Sequence, residues 1–285
     1  GHPDPHCGQQ SSYIMILPVG SIVTEKTLEE FYILKKSLES FHDCRWILSC
    51  DAYTYDELNG QENVDCHLLV STDDCDHNLA DEEKRENWMK VMMTKFDIAK
   101  FGIEKYEHIL FLDCDMIFVN PIEDKVLKQF ENKDIDACIC QHMTNDWKNE
   151  AMHGLFNAGM FHVKSLEFVE AWENLSKQYK QYGFYYEQQP LEYVQRNFLT
   201  VNLPINFNIG WWRFNNAQTH ARFSLLQLQD NKLFFGPRPA VNFHVHTVRP
   251  LEYENFGQFL VDKVLTLFDK SQNDVYEKIA LSIRK

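Results

Sequence analysis

His108-Ile-Leu-Phe-Leu-Asp-Cys-Asp-Met-Ile-Phe-Val-Asn-Pro121 is the stretch that decides how this chain is read. Its apolar start, residues 108–112, reads as a buried strand, and two carboxylates, Asp113 and Asp115, follow at once. Ligands of open α/β sheets bind at strand ends. A carboxylate pair there offers hard oxygen ligands for Mg²⁺ or Mn²⁺, and such a cation can bridge a diphosphate. Without a cation, two close buried carboxylates repel and one keeps its proton. Asp74-Cys-Asp76 and Asp134-Ile-Asp136 share the Asp-x-Asp spacing and read as a solvated loop or a strand edge. Only the 113–115 pair has an apolar strand before it and Val-Asn-Pro after it.

Working outward, short apolar runs alternate with helical patterns, the signature of an α/β sheet. Residues 13–19 read as a first strand and residues 24–41 as a helix, with Leu28, Phe31, Tyr32, Leu34 and Leu38 near a 3.6-residue period. Strands are expected at 44–50, ending at Asp51, and at 66–70 and 135–140. A helix over 87–101 buries Trp88, Val91, Met92, Phe96 and Ala99. Further on, 156–163 reads as a strand, 166–179 and 188–196 as helices, and 202–216 as an ordered loop. Residues 234–248 hold short strand-like runs, and 253–281 is mostly helical. The expected fold class is α/β, Rossmann-like, with a mostly parallel central sheet and a helical C-terminal region. A flexible arm at 1–12 precedes one domain at 13–285. That domain divides into a nucleotide half (13–140), an acceptor and metal half (141–250) and C-terminal helices (251–285).

Composition excludes several classes. The 285 residues are 44% hydrophobic and 25% charged, which is ordinary for a globular enzyme and unlike disordered or collagenous chains. With 28 basic and 42 acidic residues the net charge is −14, so nucleic-acid backbones and anionic membranes are disfavoured partners. No apolar run approaches the ~20 residues of a spanning helix. Residues 1–12 carry no apolar core of a signal peptide. None of the eight cysteines forms a Cys-x-x-Cys pair, so they read as reduced, structural thiols and point to a cytoplasmic location. The alternative is the soluble catalytic part of a secretory-pathway enzyme whose anchor lies elsewhere.

A second chemical element is Asn242-Phe-His-Val-His-Thr-Val-Arg-Pro250. On an extended segment His244 and His246 share one face, and one imidazole completes a metal site with Asp113 and Asp115. Arg249 suits a phosphate. Read alone, the two histidines are equally core or surface residues of a strand.

Together these motifs resemble GT-A glycosyltransferases, most closely the glycogenin-like group that includes bacterial lipopolysaccharide galactosyltransferases (glycosyltransferase family 8). Six runs carry the resemblance in order: Thr94-Lys95-Phe96, Phe111–Glu123 around the Asp-x-Asp, Phe156-Asn-Ala-Gly159, Glu187-Gln-Gln-Pro190, Leu203-Pro-Ile-Asn-Phe-Asn208, and His244–Pro250. The family's Asp-Gln pair is altered here, so Glu187 or Gln188 faces the reacting sugar depending on register. The last motif lacks its Gly and Trp, and Arg249 replaces a Lys. The resemblance implies a UDP-sugar donor, Mn²⁺ (or Mg²⁺), retention of anomeric configuration, and a glycan or glycoprotein acceptor. It puts the metal on Asp113, Asp115 and His244, with His246 as the alternative. It also puts Asn157, Gly159, Glu187 and Gln188 on the sugar side, with Asn157 and one of the 187–188 pair as catalytic candidates. Lys95, Cys114 and Arg249 border the donor, and Pro18-Val19-Gly20 forms the loop beside base and ribose. The aromatic stretches 182–186 and 207–214, with Trp211 and Trp212, suit either sugar stacking or core packing. Two other readings compete: an inactive GT-A-like sugar- or nucleotide-binding protein, and a metal oxygenase or hydrolase using both histidines and one carboxylate.

Overall fold

The computed structural model describes residues 16–69, 82–144, 146–214, 221–248 and 255–285. Strands β1 (Leu17–Val23), β2 (Cys44–Cys50), β3 (Val64–Leu68) and β4 (Ile109–Leu112) alternate with helices α1 (Leu28–Glu39), α2 (Ala52–Leu58) and α3 (Glu82–Tyr106). All four strands run parallel. β1 is buried along its whole length because both faces are covered. Phe31, Leu34 and Leu38 of α1 pack with Val19, Val23, Leu110 and Leu112 on one face. Phe96, Ile98, Ala99 and Ile103 of α3 pack with Ile22, Ile109 and Phe111 on the other.

After β4 the chain passes through β5 (Met116–Phe118), α4 (Asp124–Glu131), β6 (Ala137–Gln141), α5 (Trp147–His153) and β7 (Phe156–Val163). Helices α6 (Leu166–Ser176), α7 (Tyr179–Tyr182) and α8 (Pro190–Val194) precede β8 (Thr200–Asn202) and β9 (Ile209–Gly210). Strands β10 (Leu226–Gln229), β11 (Lys232–Phe235), β12 (Arg238–Pro239) and β13 (Asn242–His244) follow, then helices α9 (Asn255–Asp269) and α10 (Asp274–Ile283). The main sheet has the order β3-β2-β1-β4-β7-β6-β8, and β7 runs against both of its neighbours. The expected α/β class with a mostly parallel sheet therefore stands. β2 and β3 lie on one side of β1 and β4 on the other. The crevice at the carboxyl ends of β1 and β4 is thus a topological switch point, the place where such sheets bind ligands.

Two smaller sheets, β5-β13-β9 and β10-β11-β12, sit beside the main one. They share a third core with α9 and α10, where Leu233, Phe243, Val245, Leu260, Val264 and Tyr276 are buried.

Several expected boundaries move for physical reasons. The first strand is Leu17–Val23, not 13–19; residues 13–15 and the arm at 1–12 lie outside the described residues. Small and polar residues made its second half resemble a loop. In the fold Ser21 Oγ donates to Leu112 O at 2.7 Å, and Gly20 lets α3 approach, since a Cβ there would lie 2.5 Å from Ile98 Cγ2. Helix α3 spans 25 residues rather than 15, its first turns being polar helix formers without an apolar stripe. The helix expected to reach residue 179 ends at Ser176, and α7 then stops at left-handed Gly183. α8 starts at Pro190, a residue suited to a first turn. The short elements α2, α4, α5 and β5 were not expected, although α4 does carry an apolar face, with Val126 and Phe130 buried four residues apart.

Candidate metal and donor site

The site is built where β4 ends. Asp113 leaves the sheet there, and its N–H donates to Gly159 O of β7 at 2.8 Å, so the antiparallel strand sets the floor. The chain turns through Asp115 into β5, which pairs antiparallel with β13 and places His244 opposite Met116. Val245 N donates to Asp115 O at 2.8 Å, locking the two segments together. As a result one ligand atom each of Asp113, Asp115 and His244 lies within 4.8 Å of the others. His244 Nε2 is 3.1 Å from Asp115 Oδ1 and 3.8 Å from Asp113 Oδ2. Gly159 makes the convergence sterically feasible: a Cβ there would lie 2.5 Å from both Asp113 Oδ2 and His244 Cε1.

The donor set fits a divalent cation. His244 Nδ1 lies 2.8 Å from Asn208 Oδ1, and Asn208 Nδ2 donates to Asn157 Oδ1 at 2.9 Å. The amide oxygen therefore accepts from Nδ1–H, and Nε2 is the nitrogen that faces the two carboxylates, leaving it to ligate a cation held between them, the arrangement typical of metal-ligating histidines. Asn208 holds this pose with a left-handed backbone, φ 49°, which Asn tolerates better than most residues, and its N–H donates to Asn242 Oδ1 at 3.0 Å. Two carboxylates and one imidazole are the hard-to-borderline donors that suit Mn²⁺ or Mg²⁺.

Electrostatics separate the two aspartates. Loss of hydration pushes Asp113 upward, helped by Asp115 and Glu187 and opposed by Lys95 and His244. Lost hydration acts the same way on Asp115, but His244 and His246 overcome it and hold this carboxylate below the usual range. Burial pulls His244 down, yet Asp115 and Asp113 beside it raise it overall. Asp115 is the more enclosed of the two, 16% exposed against 36% for Asp113.

The sugar-side candidates form a connected network. Lys95, 1% exposed, donates to Glu187 Oε1 at 2.5 Å and to Ala158 O at 3.2 Å. Gln188 accepts at Oε1 from Asn157 Nδ2 (3.2 Å) and Ala158 N (3.3 Å), and its Nε2 donates to His153 O at 2.7 Å. Asn157 Oδ1 accepts from Gly159 N at 3.0 Å as well as from Asn208. Tyr186, buried and left-handed at φ 46°, precedes Glu187, a strained position for a bulky residue of the kind found at functional sites.

Some candidates fall elsewhere. Pro18, Val19 and Gly20 are not a loop beside the nucleotide: they lie inside buried β1, where the missing Pro18 N–H precedes the β1–β4 pairing that starts at Val19. The turn that does follow β1 is Glu25–Thr27, capped by Thr24. The Cys114 thiol faces the core, donating to Ile22 O at 2.6 Å. Lys95 is enclosed in its pair with Glu187. Arg249 and Pro250 lie outside the described residues, as do Asp74 and Asp76. His246 meets the other oxygen of Asp115, Nε2 to Oδ2 at 3.2 Å. Trp212 is core: its Nε1 donates to His142 O at 2.8 Å, and its ring meets His244 edge-on at 4.9 Å. Tyr182, Phe184 and Tyr193 instead form a surface ladder with centroids 5.3 and 5.2 Å apart.

Glu30 is a participant the sequence reading missed. It is buried on α1 and contacts His246. Its signal was present: an acidic residue one turn before Leu34, on the packed side of the helix.

The family described as nucleotide-diphospho-sugar transferase matches residues 42–273 of the chain. A curated relative, the lipopolysaccharide 1,3-galactosyltransferase of Salmonella typhimurium, is 24% identical over 209 residues, 69% of this chain. The chain spans 58% of that relative's length. Among solved structures it is similar to the galactosyltransferase LgtC in complex with donor and acceptor sugar analogs. The TM-score there is 0.54 at 12% identity, covering 90% of this chain and 97% of that one. It is also similar to the glycosyltransferase GlyE of Streptococcus pneumoniae, with TM-score 0.57 at 12% identity, covering 94% and 62% respectively. These likenesses bear out the GT-A fold.

Proposed function

Since the chain belongs to the nucleotide-diphospho-sugar transferase family, we propose that it moves a sugar from a UDP-sugar to a glycan or protein-linked acceptor with retention of configuration. The observation that carries this reading is the convergence of Asp113, Asp115 and His244 at the switch point of the sheet. Those three side chains would hold Mn²⁺ or Mg²⁺. Bound there, the cation supplies Lewis-acid stabilisation of the charge that grows on the leaving diphosphate. The protein's own groups do the rest. Asn208 keeps the His244 lone pair directed inward, and Gly159 leaves the space for approach. Lys95 neutralises Glu187, so the sugar side carries polar groups without a second net negative charge next to Asp113. Asn157 and Gln188 border that side and orient the transferred sugar. Arg249 is assigned to the diphosphate. The oxygenase or hydrolase alternative would need two imidazoles and one carboxylate, whereas the group that converges among the described residues is two carboxylates and one imidazole.

The deciding experiment is donor hydrolysis: UDP- and GDP-sugars are offered with Mn²⁺ or EDTA, and release of the nucleoside diphosphate is read. Metal-dependent turnover of a UDP-sugar that Asp115→Ala abolishes is the expected result. Neither turnover nor metal-dependent binding of UDP would sink the transferase reading and leave a scaffold of the same fold.

A further inference from the structure

Arg213 is 2% exposed, and among the described residues no carboxylate pairs with it. A buried cation without a counter-charge is costly, and its Nε, enclosed with no hydrogen-bond partner, adds to the cost. The other donors of the guanidinium are directed at backbone. Nη1 donates to Ile205 O at 2.7 Å, and Nη2 to Phe207 O at 3.2 Å and Gln141 O at 3.4 Å. So enclosed and so engaged, the group is out of reach of a diphosphate or a sugar, and the proposed reaction gives it no role.

What it holds leads to the metal site. The peptide that joins Phe207 to Asn208 is gripped at both ends, its oxygen by Arg213 and its N–H by Asn242 Oδ1 at 3.0 Å. The orientation of that plane sets φ of Asn208, which is left-handed at 49°. From there the Asn208 side chain reaches His244 Nδ1 at 2.8 Å and Asn157 Oδ1 at 2.9 Å. The segment is fastened a second time by the neighbouring residue. Trp212 Nε1 donates to His142 O at 2.8 Å, so adjacent side chains hold the adjacent carbonyls of His142 and Gln141. The Trp212 ring lies against Gly210, where a Cβ would collide with it, and Gly210 is the β9 partner of His244.

We propose that Arg213 is a positioning residue of the metal site. It fixes the peptide before Asn208, and Asn208 in turn orients the His244 imidazole toward Asp113 and Asp115. The inference rests on the metal site of the proposed function and specifies how its nitrogen ligand is held. It also explains why Trp212 and Arg213, side by side in an aromatic stretch, both turn inward to backbone carbonyls.

Calorimetric titration of Mn²⁺ tests it on wild type, Arg213→Lys, Asn208→Gly and the double variant, with urea midpoints as the check on folding. Arg213→Lys keeps a cation there, but its single nitrogen cannot occupy both positions of the fork. Asn208→Gly removes the amide and still accepts the left-handed backbone. Each single variant is expected to weaken Mn²⁺ about tenfold, and the double variant no more than Asn208→Gly alone. A folded Arg213→Lys with wild-type affinity, however reduced its stability, would show a purely structural role and overturn the proposal. So would an Arg213→Lys loss that stays undiminished in the Asn208→Gly background. Should Arg213→Lys fail to fold, the wild type decides. Coupling is reciprocal, so a grip that favours the cation must itself be tightened by the cation. With ¹⁵N-labelled arginine, saturating Mg²⁺ is expected to slow solvent exchange of the Arg213 Nη protons about tenfold. Unchanged exchange would overturn the proposal. A wild type that binds neither Mn²⁺ nor Mg²⁺, with or without UDP, refutes the metal site itself, whereas a wild type that binds them without this coupling refutes the role of Arg213 alone.

Discussion

The β1–β4 side of the molecule and the β5-β13-β9 sheet meet at Asp113 and Asp115, and they are built by different rules. The first is a parallel sheet under two amphipathic helices, held by apolar packing on both faces. The second pairs two- and three-residue strands and relies on individual polar contacts, such as Asn208 to His244 and Val245 to Asp115. One region presents the carboxylates at a position set by topology. The other brings the imidazoles to them, and there a shift of a single pairing step would move His244 off the site, because strand side chains alternate faces.

Acid should separate the two regions most strongly. Burial lowers His42, His153 and His162, and takes His108 to about 4 and His142 to about 3. A folded value below the unfolded ~6.5 means that the unfolded chain binds more protons, so this stability is present above pH 6.5 and is lost as pH falls toward 4. His244 has the opposite sign: burial lowers it, but Asp115 and Asp113 raise it, so its contribution is full below the unfolded value and fades as pH rises. Two buried histidines, His142 and His162, and the half-buried His42, His108 and His153 outweigh one, and the metal-free protein should lose on the order of several kcal/mol between pH 6.5 and 4. Urea midpoints across that window measure it. A flat profile would mean that the histidines are hydrated in solution.

Next in size is the buried pair Lys95–Glu187, which belongs to the parallel side through α3. Lys95→Met leaves Glu187 enclosed without a counter-ion and should cost about 3–5 kcal/mol, whereas Lys95→Met with Glu187→Met should restore most of it. Denaturant midpoints of the single and double variants check this. Equal losses in both would show that the pair does not act as a unit.

The sequence made the two regions legible to different degrees. Apolar runs such as 44–50 and 156–163 match β2 and β7 in full, because buried strands must be apolar whatever they bind. The candidate site was visible as Asp113 and Asp115 because a carboxylate pair at the end of an apolar strand carries chemistry; the residues left His244 and His246 both open, and the resemblance favoured His244. Short elements such as β5 and β13 are specified by what they pair with, and three residues hold no period. Pro18-Val19-Gly20 was misplaced because glycine marks both a loop and a close packing contact. Only tertiary structure, here the approach of Ile98, distinguishes them. Glu30 was passed over because an acidic residue on a helix is normally solvated.

Gly159 tests the convergence itself. Gly159→Ala would set a methyl 2.5 Å from both Asp113 Oδ2 and His244 Cε1, with Asn157 Oδ1 at 2.9 Å. The neighbouring groups are short side chains already hydrogen-bonded, so they must separate, and Mn²⁺ affinity should fall by about a hundredfold, ~3 kcal/mol. Calorimetric titration reads the loss. Wild-type affinity in this variant would show that the three groups do not close on one ion.

Gly20→Ala is the counterpart on the parallel side and should have the smallest effect. Its methyl would meet Ile98 Cγ2 at 2.5 Å and Ile109 Cδ1 at 3.0 Å in the α3 interface; Cδ1 ends a flexible side chain, whereas Cγ2 sits on a branched Cβ and yields only with χ1 or with the helix. Such overpacking costs about 1–3 kcal/mol, relieved in part by rotation of the isoleucines or a small shift of α3. The strain has little route to the metal site: Gly20 pairs with Phe111, two residues before Asp113, while Asp113 itself is tied to Gly159 across β7. The variant should therefore lower the urea midpoint and leave Mn²⁺ affinity within about twofold of wild type, the reverse of Gly159→Ala. If Gly20→Ala instead weakened the metal as much as it weakened the fold, the two regions would be one mechanical unit. Lys95, which α3 carries into the sugar side, would then be the element that couples them.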